Sequence, residues 1–335
     1  MGEQQLDQDQ MPIITTTRLT KKFGNLVAVN NLHLEVQRGD VFGFLGPNGS
    51  GKTTTIRMLL GLLQPTTGTV HIFGRDTATH LAEILPRIGA IIEAPVYYSY
   101  LSGLDNLHVI AMNSGLRGGT ATNRRIAEIL EMVDLTSQAK DAVRKYSLGM
   151  KQRLAIGMAL LTDPELILLD EPTNGLDPMG VHEMRGLISR LAAAGKTVVL
   201  SSHILHEVQQ VCNRVAILQK GRMVRQGEVR RLLQQGERLL VRMNTPEEAQ
   251  YALGCLQSGR ERGAEWITQV SNEHGAEISI DAPVTRASEI VALLAQQQLY
   301  LAEIRPQESS LEEVFMELVA PEESRTGMVA LAGER

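Results

Sequence analysis

The run Gly46-Pro47-Asn48-Gly49-Ser50-Gly51-Lys52-Thr53-Thr54 sets a lysine and two hydroxyls directly behind three glycines, a composition suited to enclosing phosphate. Glycine lets the backbone turn tightly enough for successive amides to point at one anion. A helix opening near Gly51 adds its positive dipole end, roughly half a charge, beneath that anion. In the pattern GxxxxGK(S/T), made here by Gly46, Gly51, Lys52 and Thr53, the lysine bridges the β- and γ-phosphates of a nucleotide and the hydroxyl coordinates magnesium. The rival reading is an ordinary glycine-rich turn; a strand before it and a helix after it favour the phosphate cradle.

A second centre of chemistry lies at Asp170-Glu171, where the apolar strand Leu166 to Leu169 ends in charge. Ligands of open α/β sheets bind at such carboxyl ends. Asp170 is suited to hold magnesium, directly or through water, and Glu171 to polarise an attacking water as general base. The rival here is an acidic turn closing the strand.

The elements that must position these residues follow from periodicity. Short β-rich runs at Ile13 to Lys21 and Leu32 to Gln37 precede the apolar strand Val41 to Leu45, which leads into the cradle and a helix. Apolar residues recur at helical spacing over Leu104 to Leu116, Arg124 to Val133 and Lys151 to Leu161. From Leu166 strands and helices alternate: a helix after Pro178, a strand Thr197 to Ser201, a helix from Ile204 and a strand Val215 to Leu218. That alternation implies a parallel sheet packed by helices. After Gly236 the order is strand Arg238 to Met243, a helix opened by Thr245 and Pro246, strands Trp266 to Val270 and Glu277 to Ile280, a helix Val284 to Gln296 and a strand Leu299 to Ile304. Such a β-α-β-β-α-β order suggests a small α+β ferredoxin-like sandwich, followed by an amphipathic helix Ser310 to Leu318.

Upstream of the acidic strand, Tyr146-Ser147-Leu148-Gly149-Met150-Lys151-Gln152-Arg153 resembles the LSGGQ signature of ABC-transporter ATPases. Asn174-Gly175-Leu176-Asp177 resembles that family's D-loop, and Ser201-Ser202-His203 stands where its switch histidine does. The motifs occur in the family's order, and the resemblance covers about residues 13–235. It implies an α/β P-loop NTPase of ABC type, with a RecA-like core, an antiparallel β subdomain and an α-helical subdomain at about 95–162. It further implies ATP and Mg2+ as ligands and a dimer of ATPase subunits, like with like or with a close paralogue, on two separate transmembrane permease subunits at the cytoplasmic face of the membrane. The organisation expected is then a flexible tail over 1–12, the nucleotide-binding domain over 13–235, an accessory or regulatory domain over 236–320 and a second flexible tail over 321–335.

The resemblance also assigns roles. Phe23, ahead of Gly24 and the Val27 to Val29 run, matches the aromatic that stacks on adenine, with edge packing as its rival. His203 contacts the γ-phosphate; taken alone, a histidine at a strand end is more often a structural hydrogen-bonder. Ser147, Gly149 and Met150, with Asp177, face the nucleotide held by the other subunit. Physically, Ser147 and Gly149 at a helix N-terminus form an anion site of hydroxyl, amides and dipole, although in isolation Ser147 reads equally as a helix cap. One chain cannot easily bring both anion sites to one γ-phosphate, whereas a two-fold dimer does so in trans.

Two departures stand out. Glu93 occupies the position where the family carries a magnesium-touching glutamine; a carboxylate there reaches magnesium while adding negative charge, or is merely solvated. Leu148 and Met150 replace the signature's usual Gly and Gln, as in exporters of the bacitracin-resistance type. Further on, Ala94-Pro95-Val96-Tyr97-Tyr98-Ser99-Tyr100 carries three tyrosines, a residue enriched at interfaces. This loop and the segment to about Leu116 are expected to receive a helix of the transmembrane partner, unless the tyrosines close the domain's own core. The run Ser309 to Phe315 resembles the C-terminal extension of drug, lantibiotic and bacitracin exporters. An exporter motor acting on a drug, antibiotic peptide or lipid-like substrate is the expected function, with a soluble ABC ATPase working on ribosomes or DNA as the alternative. Ribosomal relatives usually carry two cradles, and chromosome ATPases a long coiled coil between cradle and signature; neither is found here.

Composition is consistent with this reading. With 335 residues the chain has room for two domains, and its net charge of −5 offers no broad basic surface for nucleic acid. Cys212 and Cys255 lie outside any metal-ligand spacing and read as small buried hydrophobes. The polar start MGEQQLDQDQ lacks the form of a secretory signal, and no apolar run is long enough to span a bilayer.

Overall fold

The computed structural model describes residues 11–93, 96–234, 238–261, 264–307 and 310–319. Nearly all of both expected tails, Ala94 and Pro95 of the tyrosine loop, Gly236, and Ser309 lie outside the described residues. The chain divides into two compact units, Met1–Val229 and Arg230–Arg335.

Strand burial separates two sheets in the first unit. In β1 (Ile14–Phe23) and β2 (Leu26–Val36) one face is wet: Leu32, Leu34 and Val36 are buried while His33 and Glu35 are exposed, the alternation of a sheet with one solvated side. By contrast β3 (Val41–Leu45) is buried at every position, as suits a central parallel strand. Helix α1 (Lys52–Leu59) follows, then β4 (Thr67–Ile72), β5 (Arg75–Asp76) and α2 (Thr77–Ile84). The order β2-β1-β4-β5 makes an antiparallel sheet. Its β2 is one continuous strand where sequence reading finds only Leu32 to Gln37. Asn30-Asn31 looks like a turn, but Asn31 sits at φ 53 in an irregularity of the β1–β2 ladder, its N–H taken by Thr20 Oγ1 at 3.0 Å. Asparagine tolerates that left-handed conformation, so the strand passes through it.

The second sheet is built from β3, β6 (Ile88–Ile91), β7 (Leu166–Asp170), β8 (Thr197–Ser202), β9 (Arg214–Gln219) and β10 (Arg222–Glu228), in the order β10-β9-β3-β8-β7-β6. All neighbours are parallel except the β9–β10 hairpin. Between β6 and β7 come α3 (Gly103–Asn113), α4 (Thr120–Met132) and α5 (Leu148–Ala159); α6 (Pro178–Ala193) and α7 (Leu205–Val211) return the chain to the sheet. Within the helical segment Arg153 of α5 is buried. It donates to the carbonyls of Val133 and Asp134 just after α4, at 3.1 and 3.2 Å, and pairs with Glu183 of α6 at 3.4 Å.

Glu165, entering β7, is held by Arg87 at 2.6 Å and Arg38 at 3.1 Å, and the Arg87 guanidinium stacks 3.7 Å from the Phe73 ring centroid. Hydrogen bonding from Arg87, then from Arg38, outweighs partial burial and holds the Glu165 carboxyl below its ordinary value. A depressed folded-state value stabilises the fold above the ordinary carboxylate range and ceases to do so as pH falls through it. Glu165→Gln is therefore expected to lower Tm at neutral pH, with the gap to the parent closing below about pH 4; thermal melts across pH check this, and a constant gap would contradict it.

A short helix α8 (Val229–Gln234) opens the second unit, where β11 (Arg238–Arg242), α9 (Pro246–Glu261), β12 (Gln269–His274), β13 (Glu277–Asp281), α10 (Ala287–Ala295) and β14 (Glu303–Gln307) precede α11 (Leu311–Val319). The sheet runs β12-β13-β11-β14, all antiparallel, which is the ferredoxin-like topology. Its second and fourth strands begin later than the apolar runs Trp266 to Val270 and Leu299 to Ile304 suggest. Ile267 and Leu299 are buried from irregular backbone just after turns, where apolar residues give the same signal as strand. Cys212 is buried, and burial pushes its thiol up, whereas Cys255 is only partly covered.

Candidate nucleotide site

The cradle forms where β3 meets α1. Gly51 caps α1 at φ 104, and a Cβ there would come 2.6 Å from the carbonyl oxygen of Ala28. At Gly46 a Cβ would stand 2.3 Å from the carbonyl of Leu218 and 2.5 Å from Ser50 Oγ, so only glycine fits. Ser50 Oγ is itself buried without a hydrogen-bond partner, a hydroxyl free to serve an anion in this turn. Lys52 is buried with 5% of its surface exposed; its Nζ donates to the carbonyls of Gly46 at 2.7 Å and Pro47 at 3.4 Å. A buried ammonium among carbonyls at a helix N-terminus makes the loop a concentrated positive site.

The carboxylates of the β7 end face this loop. Asp170 is buried; its Oδ2 accepts from Thr53 Oγ1 at 2.8 Å and its Oδ1 from Ser201 Oγ at 2.5 Å. Glu171 takes a left-handed backbone, φ 49, unusual for a non-glycine residue. Its N–H donates to Ser201 Oγ at 2.9 Å. Its two carboxylate oxygens reach opposite ways, Oε1 to Lys52 Nζ at 3.2 Å and Oε2 to His203 Nδ1 at 2.8 Å. The structure thus brings Lys52, Thr53, Asp170, Glu171 and His203 together from three parallel strand ends. Ser201 is a member that sequence reading treated only as part of the strand before His203; the one available signal was a hydroxyl on the strand neighbouring Asp170.

A cleft of about 690 Å³ opens over these groups. Phe23, Asn48, Gly49, Thr54 and His203 line it with Lys52, Thr53 and Glu171. Phe23 is half exposed, with Lys21 Nζ 5.2 Å from its ring centroid, so a flat aromatic face is presented at the rim.

Other expected site residues lie apart from this cleft. Ser147 caps α5, its Oγ accepting from Met150 N–H at 3.2 Å, with Gly149 on the first turn. Asp177 caps α6 through Gly180 N–H at 2.8 Å. None of these four residues lines the cleft of its own chain. Nearby, the side-chain amide of Gln152 of α5 donates to the carbonyl of Asn174, and Thr173 Oγ1 donates to Glu207 of α7. Glu93 stands at φ 61 past the end of β6 with its carboxylate on Arg57 of α1, not on Thr53 or Asp170. Among the described residues no group of three or more His, Cys, Asp or Glu converges as a metal site, so a cation held here would draw on few protein ligands.

Comparison with known proteins fits this geometry. The profile described as ABC transporter matches residues 29–174. The bacitracin transport ATP-binding protein of Bacillus licheniformis is 50% identical over 213 residues, 63% of this chain and 68% of that one. The chain belongs to the ABC transporter ATP-binding family. An uncharacterised ABC transporter ATP-binding protein of Bacillus subtilis (strain 168) is 37% identical over 309 residues, 91% of this chain and 95% of that one. Among solved structures, a dimeric ATP-binding cassette with ADP and inorganic phosphate superposes with a TM-score of 0.58 at 28% identity, covering 64% of this chain and 98% of that one. As a family member this ABC subunit binds and hydrolyses ATP to drive a transporter. No helix among its described residues is long and apolar enough to cross a membrane.

Proposed function

We propose that two copies of this chain, or this chain and a close paralogue, enclose each ATP between the cradle of one and the Ser147 helix end of the other, and that closure drives export through two separate transmembrane subunits. The observation that carries the reading is the separation of the two anion-binding elements: Lys52, Glu171 and His203 share one cleft, while Ser147, Gly149 and Met150 open a helix outside it. In each closed site Phe23 stacks on adenine, a contact worth about 1 kcal/mol. The amides of Gly46 to Thr54 and the ammonium of Lys52 hold the phosphates. Glu171 takes the proton of the attacking water, and His203 fixes that carboxylate and senses the γ-phosphate. Thr53 and Asp170, with Glu93 at the edge, are the residues that would hold Mg2+, which when bound neutralises charge on the phosphates.

The exposed Val96, Tyr98 and Tyr100, the last two in edge-to-face contact at 6.1 Å, support docking of a transmembrane partner at this loop. That docking would hold the subunit at the cytoplasmic face. The substrate is read as a drug, antibiotic peptide or lipid-like molecule, the antibiotic class being supported by the similarity to a bacitracin transport ATP-binding protein, and the ferredoxin-like unit is read as an accessory or regulatory domain.

A mixing experiment tests the shared site. A Cβ at Gly149 meets nothing nearer than 3.7 Å, so Gly149→Asp folds but sets a carboxylate against the phosphate of the opposite copy. Gly149→Asp and Lys52→Ala are each expected to be inactive alone. Mixed, they form heterodimers with one intact site, and ATP turnover returns. Failure of the mixture to recover turnover, with heterodimers demonstrated, would defeat the proposal.

A further inference from the structure

Each carboxylate near the cradle has a partner of its own. Asp170 takes the hydroxyls of Thr53 and Ser201, Glu171 takes Lys52 and His203, and Glu93 takes Arg57. Arg57 lies four residues beyond Thr53 on α1, hence on the same helix face. It leans from the cradle helix toward the end of β6, where Glu93 is set by its left-handed backbone. Glu93 also borders a cavity of about 30 Å³ whose wall includes Asp170, Glu171 and Gln152, roughly the room one water needs. A third carboxylate therefore stands at the same small space as the two acidic residues of the β7 end, and its negative charge is answered by a cation from the helix that carries Lys52 and Thr53.

We infer that Arg57 is a positioning residue of the nucleotide site: it neutralises Glu93 and holds it at the rim of the site, setting how strongly the site attracts a divalent cation and how strongly it repels bare phosphate. Both members of the pair are substantially exposed, 41% for Arg57 and 65% for Glu93, so the pair is weak by itself and adds little to stability. Its consequence is electrostatic. With Arg57 removed, Glu93 presents its full charge beside Asp170, Glu171 and the triphosphate; metal-free ATP binds less well and a divalent cation is drawn in more strongly. The inference rests on the assignment of this site to Mg2+ and ATP.

A double-mutant cycle on the full chain tests it, using Arg57→Gln, Glu93→Gln and the combination, with Arg57→Lys as the variant that keeps the cation. Two quantities are measured: affinity for a fluorescent ATP analogue with and without Mg2+, and the Mg2+ concentration giving half-maximal binding. Arg57→Gln is expected to lower metal-free affinity and to lower the half-saturating Mg2+ concentration by about threefold or more, the size of coupling usual between contacting charges. In the Glu93→Gln background the same substitution moves both quantities much less, and Arg57→Lys stays near the parent. Equal shifts in both backgrounds would overturn the inference, because Arg57 would then act as a distant charge independent of Glu93. Unfolding midpoints without nucleotide keep this apart from damage to the fold; should Arg57→Gln not fold, the Arg57→Lys and Glu93→Gln arms decide alone, an altered Mg2+ dependence for the first or an unaltered one for the second counting against it. If the parent itself shows no Mg2+-dependent nucleotide binding, the underlying site assignment fails instead.

Discussion

Glu171→Gln keeps ATP binding and loses about 10²- to 10⁴-fold in turnover, the range spanned by a general base. The amide retains the size of the carboxylate; its oxygen can still accept from Lys52 Nζ, 3.2 Å away, and its NH2 can donate to an unprotonated His203 Nδ1, 2.8 Å away, so the cleft keeps its shape. What is lost is the ability to take a proton from water. With hydrolysis blocked and the phosphates still bound on both sides, the dimer should accumulate closed. Single-turnover hydrolysis and size-exclusion chromatography with ATP check the two halves of this result; turnover within a factor of two of the parent, or no ATP-stabilised dimer, would contradict the role given to Glu171.

The second large effect belongs to Lys52. Its ammonium is buried, touches two loop carbonyls and is the cation of Glu171. Lys52→Ala removes a charge-assisted contact to phosphate and leaves the Glu171 carboxylate facing the nucleotide without that cation. Hydrogen bonds to charged groups contribute about 1.5–3 kcal/mol, so ATP affinity is expected to fall about 10- to 100-fold. Phe23→Ala should cost far less, because a stacking contact is all it removes. Titration with a fluorescent ATP analogue orders the two; an equal or larger loss for Phe23→Ala would contradict the dominance of phosphate charge in binding.

The residues proposed to meet phosphate are legible because that chemistry is local. An amide-lined turn must be contiguous, and Gly46 to Thr54 therefore carry their role in their spacing. The same holds for Asp170-Glu171 at a strand end, and for the order of β7 and β8 that brings His203 to Glu171. What escaped is long-range. Ser201 braces both Asp170 and Glu171, yet nothing beside it in sequence marks it. Glu93 was legible as a departure, but its partner Arg57 belongs to another element. The continuity of β2 was hidden because an asparagine pair gives the same local signal in a bulge as in a turn. In the ferredoxin-like unit the topology follows from element order, while the strand starts differ because Ile267 and Leu299 are buried from irregular backbone just after turns.

Arg153 has a mechanical consequence. A guanidinium locked onto two carbonyls beyond α4 and onto a carboxylate of α6 stiffens the base from which Ser147 projects. The Ser147 end of α5 is therefore expected to move together with α4 and α6 as one piece, rather than by α5 flexing on its neighbours.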